Sequence, residues 1–286
     1  MDGASGSRWL PALALAFNAF TWGVSWWPFR ELQRLGLHPL WATALIYALA
    51  VAVIALRWPR AFGELLRAPA LWVLVAASGT TNACFNWAMT LGDPVRVVLL
   101  FYLMPLWAVV LARLLLHERL TPPALLRVAL ALAGAAVVLW PDGGGWPLPR
   151  TMAEALAVLG GFSFALNNVM LRREAARSAQ ARALAMFGGG AVVAGALALA
   201  TAAALPAAAG PWLPGALVLA LLFIGSNLAL QYGATRLPAN ATAVIMISEV
   251  LFASVSALAL GVSTASASLA LGGALIVAAA LLAARG

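Results

Sequence analysis

The sequence predicts an all-α polytopic membrane protein: ten transmembrane helices arranged as two inverted five-helix repeats. Three observations predict it. Apolar runs of membrane-spanning length recur along the chain, its arginines alternate from one side to the other, and polar residues repeat at a fixed offset.

The apolar runs come first. The 286 residues are 64% apolar and only 9% charged, whereas a soluble domain carries about 25% charged residues. Such a surface suits lipid, where a span needs about 20 apolar residues. The expected spans are 10–28, 39–57, 70–91, 94–117, 123–140, 152–172, 182–205, 212–235, 238–261 and 265–284. They are read as helices because open strands leave backbone groups unsatisfied in hydrocarbon. Turn or helix-start residues mark several breaks: Gly92-Asp93-Pro94, Thr121-Pro122-Pro123, Pro141-Asp142-Gly143 and Leu237-Pro238. The first run is about 18 residues with a weakly basic flank, so it is read as a span, not as a signal peptide.

The arginines set the orientation. With the N-terminus inside, thirteen fall on inner segments: Arg8; Arg57, Arg60 and Arg67; Arg113, Arg119 and Arg127; Arg172, Arg173, Arg177 and Arg182; Arg236; Arg285. Four fall outside: Arg30, Arg34, Arg96 and Arg150. The positive-inside rule then places both termini in the cytoplasm. Tryptophans near span ends (Trp9, Trp26, Trp27, Trp41, Trp58, Trp72, Trp140, Trp212) are expected as interface anchors.

The repeat is the third observation. An offset of 145 pairs Asn82 with Asn227, Asn86 with Gln231, Trp87 with Tyr232 and Thr90 with Thr235. It also pairs Phe17 with Phe162, Asn18 with Ser163 and Trp22 with Asn167. A five-span unit crosses an odd number of times, so its second copy enters from the opposite face. This is the inverted repeat of many secondary transporters, with substrate near the midplane. The expected units are residues 1–140 and 151–286, joined by a Gly/Pro-rich linker at 141–150.

Composition excludes several functions. There is no lysine, hence no retinal or pyridoxal Schiff base. One cysteine, Cys84, and two histidines, His38 and His117, supply neither a disulfide nor a recognisable zinc or haem site, so no metal or cofactor is expected. The net charge of +8 is dispersed between apolar runs, which argues against nucleic acid. An intramembrane enzyme would need convergent catalytic groups, and Glu249 has no buried His, Lys or Asp partner in sequence.

Polar residues inside spans are the candidates for a substrate cavity. Ser78, Asn82 and Asn86 are four apart in span 3, as are Asn227 and Gln231 in span 8. Asn18 and Trp22 line one side of span 1, and Ser163 and Asn167 one side of span 6. Glu249 is the one acid deep in a span, with Thr242 seven residues before it. It is expected to couple protons or to hold a substrate ammonium; a structural, hydrogen-bonded glutamate is the alternative. Trp22, Trp87, Phe101, Tyr102 and Tyr232 are candidate aromatic walls. No arginine lies at a span midpoint, which favours a neutral or zwitterionic small molecule over a phosphorylated anion. Packing between helices would place the same amides equally well.

The stretch TWGVSWWPF at 21–29, Pro39, Pro105 and the segment HERLTPPALLRVALALAGAAVVL at 117–139 resemble the opening and closing signatures of an EamA-type half. In the second half the turn has become GVST at 261–264, without its glutamate. The resemblance, to the drug/metabolite transporter superfamily, implies ten helices in two inverted repeats and export of small metabolites across the bacterial inner membrane. In length and tryptophan content the chain is most similar to the aromatic amino acid exporters of the YddG type. That similarity implies export of aromatic and other neutral amino acids. A monomer in contact with membrane lipid is expected. A multidrug, organic-cation or nucleotide-sugar carrier and a passive facilitator are the alternatives.

Overall fold

The computed structural model describes residues 9–115, 117, 121–140, 146, 148–206, 210–234, 236, 245–246 and 248–285. Among them there is no strand. In the first half the helices are α1 (Trp9–Val24), α2 (Trp26–Arg34), α3 (Pro39–Arg57), α4 (Arg60–Arg67), α5 (Pro69–Leu91), α6 (Pro94–Phe101), α7 (Met104–Leu115) and α8 (Pro122–Leu139). In the second they are α9 (Met152–Arg173), α10 (Ala179–Ala200), α11 (Trp212–Ala234), α12 (Ser248–Ala259) and α13 (Ala267–Arg285).

Among the described residues, five helical stretches are long and apolar enough to cross a membrane: Pro39–Arg57, Pro94–Leu115, Met152–Arg173, Ala179–Ala200 and Trp212–Leu230. A sixth is α5 together with α4, which meet at a bend of 101°. Leu125–Leu139, Ser248–Ala259 and Ala267–Ala279 are apolar but shorter. Large apolar side chains face outward, among them Leu56 at 88% and Trp9 at 77% exposure. In water that surface would be untenable; the chain is a membrane-embedded helical protein.

Two expected spans are interrupted. The first breaks at Ser25, whose hydroxyl donates to the Trp22 carbonyl at 2.7 Å. Pro28 has no N–H to continue the ladder back to Val24. The fourth breaks after Phe101, because Pro105 likewise cannot donate to the Phe101 carbonyl. Gly161 of α9 closes on that carbonyl: a Cβ there would lie 2.4 Å from it, so only glycine permits the approach. The ninth span is seen as Ile245–Met246 and α12; its earlier part, with Leu237-Pro238 and Thr242, lies outside the described residues, as does Pro141-Asp142-Gly143 of the linker. The short, amphipathic α4 was not expected.

Helix starts follow local chemistry. Asp93 caps α6, its carboxylate accepting from Arg96 N at 2.9 Å. Thr151 and Glu154 form a reciprocal capping box on α9. Ser178 caps α10.

The main contacts between halves come in matched sets. α1 packs on α11 as α9 packs on α5; α1 packs on α12 as α9 packs on α6 and α7; α3 packs on α11 as α10 packs on α5. α3 meets its counterpart α10, and α8 meets its counterpart α13. The α4–α10 contact has no such match. The tightest crossing is α5 on α10, where a Cβ at Gly189 would lie 2.1 Å from the Val75 carbonyl and one at Gly79 would lie 2.4 Å from the Gly189 carbonyl. Such small-residue contacts let backbones approach in lipid, where hydrophobic collapse gives little help.

The tryptophans divide. Trp9, Trp27, Trp58, Trp72 and Trp140 are exposed. Trp26 and Trp212 are buried instead, Trp26 donating to Ser256 Oγ at 3.0 Å and Trp212 packing with Phe29 and Leu32.

Candidate functional site

Between the halves lies a cavity of about 450 Å³, lined from α1, α3, α5, α6, α7, α9, α10, α11 and the ninth span. A second depression, beside Arg30, Gln33 and Arg34, is shallow and open. The enclosed cavity is the candidate site, since enclosure and a few convergent polar groups mark small-molecule sites.

Of the residues singled out from sequence, the structure brings Asn18, Trp22, Ser78, Asn82, Phe101, Tyr102, Asn167, Asn227 and Glu249 to this cavity. Four others lie elsewhere. Asn86 is fully buried and donates to Thr43 Oγ1 at 3.0 Å, joining α5 to α3. Trp87 packs against Leu40, Ala83 and Ala194, with its ring 5.6 Å from that of His38. Ser163 is buried in α9 away from the cavity. Tyr232 lies under the Arg236 guanidinium, 3.9 Å from its ring centre. Gln231 belongs to α11 but its side chain, like Thr242, lies outside the described residues.

The polar groups have defined partners. Asn18 Nδ2 donates to Ser226 Oγ at 2.7 Å and to its backbone oxygen at 2.9 Å. Asn82 Nδ2 donates to the Ser78 carbonyl at 2.8 Å, and Asn227 Nδ2 to the Phe223 carbonyl at 2.9 Å. These two amides, 145 residues apart, thus make the same bond to the carbonyl four residues earlier. Tyr47 donates its hydroxyl to Asn82 Oδ1. The Tyr102 hydroxyl, at the break between α6 and α7, reaches Glu249 Oε2 at 3.0 Å and the Met246 carbonyl at 3.1 Å. The phenol is thus within hydrogen-bonding distance of two acceptors of the ninth span.

Sequence reasoning missed Tyr47, Thr81, Phe85, Phe164, Asn168 and Phe187, as well as Met104, Met186 and Met246. Asn168, next to Asn167, carried a polar signal inside a span. The aromatic and methionine residues did not, because a sequence does not say which apolar face turns inward.

The cavity is asymmetric from end to end. Toward one end its wall is an aromatic stack: Trp22 is 4.5 Å from Phe223 and 6.1 Å from Phe85, and Phe85 is 4.8 Å from Phe101. Above the stack Arg30 donates to the carbonyls of Met89, at 3.1 Å, and Gly92. Arg96 Nε lies 2.6 Å from Glu154 Oε1, an ion pair by distance in which the N–H is not directed at the oxygen. This pair joins the first half to the second. It is the arginine-poor end of the bundle. Toward the other end the cavity reaches Leu171, Met186, Leu230 and the exposed Asn168, near Arg172, Arg173, Arg177 and Arg182. There Glu64 of α4 accepts from Ser178 Oγ at 2.6 Å and Ser178 N at 3.1 Å. These bonds hold the Glu64 carboxyl below its usual pKa.

Among the described residues no group of three or more His, Cys, Asp or Glu could hold a metal ion.

Residues 9–140 match the model of the EamA-like transporter family. An uncharacterised transporter of Pseudomonas aeruginosa is 36% identical over 126 residues, which is 42% of this chain and 42% of that protein. The chloramphenicol-sensitive protein RarD of the same organism is 29% identical over 118 residues, 40% of each. The chain thus spans about two-fifths of the length of the curated relatives it matches. A solved crystal structure superposes with a TM-score of 0.59 and 21% identity, over 97% of this chain and 97% of its own. At that identity the likeness is one of fold.

Proposed function

We propose that the protein is a secondary transporter that moves neutral and aromatic amino acids, or similar amphipathic metabolites bearing an amine, by alternating access. The observation that carries this is the cavity: about 450 Å³, enclosed, aromatic-walled and shared by helices of both halves. The match of residues 9–140 to a transporter family and the matched contacts between halves support the same reading. They also support ten crossings in two inverted repeats, residues 1–140 and 151–286, as the architecture. The arginine distribution supports cytoplasmic termini in a bacterial inner membrane, which makes the arginine-rich end the cytoplasmic one. On that assignment the structure is inward-facing, with its outer end closed by the aromatic stack and the Arg96–Glu154 pair.

The test is flux in proteoliposomes loaded with a panel of amino acids, amines and sugar phosphates. Saturable flux of amine-bearing solutes, accelerated by unlabelled solute on the far side, is the expected result. Sugar phosphate flux alone would defeat the substrate reading. Non-saturable flux without counterflow would replace the carrier by a facilitator.

A further inference from the structure

The short helix α4 has three distinct faces. Ala61 and Leu65 are buried in a cluster with Ala181, Leu184 and Ala185 of α10, and Glu64 accepts from Ser178 at the start of that helix. Phe62 and Leu66, one turn apart, are exposed, Leu66 to 68%. Arg60 and Arg67, seven residues apart and so nearly in line, are exposed as well. Among the described residues neither arginine has a hydrogen-bond or ion-pair partner. Beside them, at the end of α3, the exposed Arg57 guanidinium lies 5.6 Å from the centre of the exposed Trp58 ring.

The helix is also placed to meet lipid. It joins α5 at 101°, and spans stand on average about 20° from the membrane normal, so α4 runs near the membrane plane. It follows α3 and precedes α5 at the arginine-rich end, at headgroup depth. A helix in that plane sinks an apolar strip to the acyl boundary and keeps a basic strip among the headgroups. Phe62 and Leu66 supply the first strip, Arg60 and Arg67 the second. Lipid phosphate brings the charge that the arginines lack, and Arg is suited to phosphate oxygens. Soluble phosphate would match the arginines but leave Phe62 and Leu66 uncovered.

We infer that the exposed faces of α4, with Arg57 and Trp58, form a binding surface for anionic phospholipid, its phosphate taken by Arg60 and Arg67 and its acyl chains covering Phe62 and Leu66. The inference does not depend on the substrate. Because α4 is a part of the first half that packs on α10 of the second, lipid held there steadies the contact between halves. Native mass spectrometry and thermal melts of the intact protein in mild detergent, titrated with phosphatidylglycerol, phosphatidylcholine or glycerol phosphate, test it. Phosphatidylglycerol is expected to bind at least about tenfold tighter than phosphatidylcholine, from about fivefold per arginine beside anionic lipid. It should also raise the melting temperature, and glycerol phosphate should do neither. Arg60→Gln with Arg67→Gln should abolish the preference. Arg34→Gln with Arg150→Gln, an equal loss of charge at the arginine-poor end, should keep it. Where the first double variant fails to fold, either single substitution should lower the preference about fivefold. Equal binding of the two lipids would overturn the inference, as would a preference that survives loss of Arg60 and Arg67 or falls as far in the control pair. Glycerol phosphate acting as well as the lipid would replace the lipid surface by a soluble-phosphate site.

Discussion

At the arginine-poor end, charge meets charge across the halves, Arg96 against Glu154, above a stack of four aromatic rings. At the arginine-rich end the halves are joined through Glu64 and the neutral Ser178, and cavity-lining side chains reach nearly to the surface. Both joints link the first half to the second. They differ in what opening costs. The Arg96–Glu154 pair is largely shielded, with Glu154 9% and Arg96 33% exposed, so separating it leaves charge in a poorly solvated place. Ser178 loses less when water replaces Glu64. On the transporter reading, the difference favours opening at the arginine-rich end.

The most damaging change is expected where the two ends share a wall. Gly189→Val would drive a side chain into the Val75 carbonyl, and backbone cannot yield as a flexible side chain does. A loss of about 3 kcal/mol or more, with collapse of monodisperse yield in size-exclusion chromatography, is expected. Normal yield would mean that the α5–α10 crossing is looser than described.

Glu154 separates capping from clasping. Glu154→Gln keeps an acceptor for the backbone N–H groups of Arg150 and Thr151 but removes the charge facing Arg96. It should cost about 1 kcal/mol and open the arginine-poor end to thiol reagents. Glu154→Ala loses the cap as well and should cost about 2 kcal/mol. Thermal melts of the pair measure the difference; equal losses would leave the ion pair with no role in closure.

His38 makes the arginine-poor end the pH-sensitive one in the weakly acid range. Its Nδ1 accepts from Leu40 N at 3.2 Å to cap α3, which needs that nitrogen unprotonated. Burial lowers its pKa below 6.5. The unfolded chain therefore binds the proton more readily, so the stability contribution is complete above about pH 6.5 and declines as pH falls toward the folded pKa. Melting temperature should drop between pH 7 and 5, and His38→Asn should flatten that slope.

Glu64→Gln should have the smallest effect, because its carboxyl is partly exposed and the amide still offers an oxygen to Ser178. With its folded pKa lowered, its contribution persists above its ordinary pKa of 4.5 and is lost only as pH falls below that. A melt that changes with this variant at neutral pH would make the arginine-rich joint a true clasp.

The helical membrane class was legible from composition. The offset of 145 picked out one shared detail: the amides of Asn82 and Asn227 each bond the carbonyl four residues earlier. Glu249 was legible as a lone acid in hydrocarbon. Asn86 misled, because a step of four advances the helix by one turn; there α5 faces Thr43 of α3 instead of the cavity. Trp26 misled because a tryptophan near a span end serves a lipid interface or a core equally well. The interrupted first and fourth spans had visible causes in Pro28 and Pro105. Short amphipathic α4 had none on a scale that looks for twenty apolar residues. Tyr47, Met186 and Phe187 were unreadable because lipid-facing and cavity-facing apolar side chains look alike until the partner helix is known.

The central claim is that the cavity holds substrate and is reached from one end at a time. Met186 lines the cavity toward the arginine-rich end, and Cys84 is the single native thiol and is buried. A Met186→Cys variant in a Cys84→Ala background, in sided vesicles, can be labelled with a membrane-impermeant maleimide from either face. The account predicts labelling from the arginine-rich face, slowed by saturating amine and slowed again when Glu154→Gln lets the opposite end open. Labelling from the arginine-poor face of the parent, or at a rate indifferent to ligand, would contradict it.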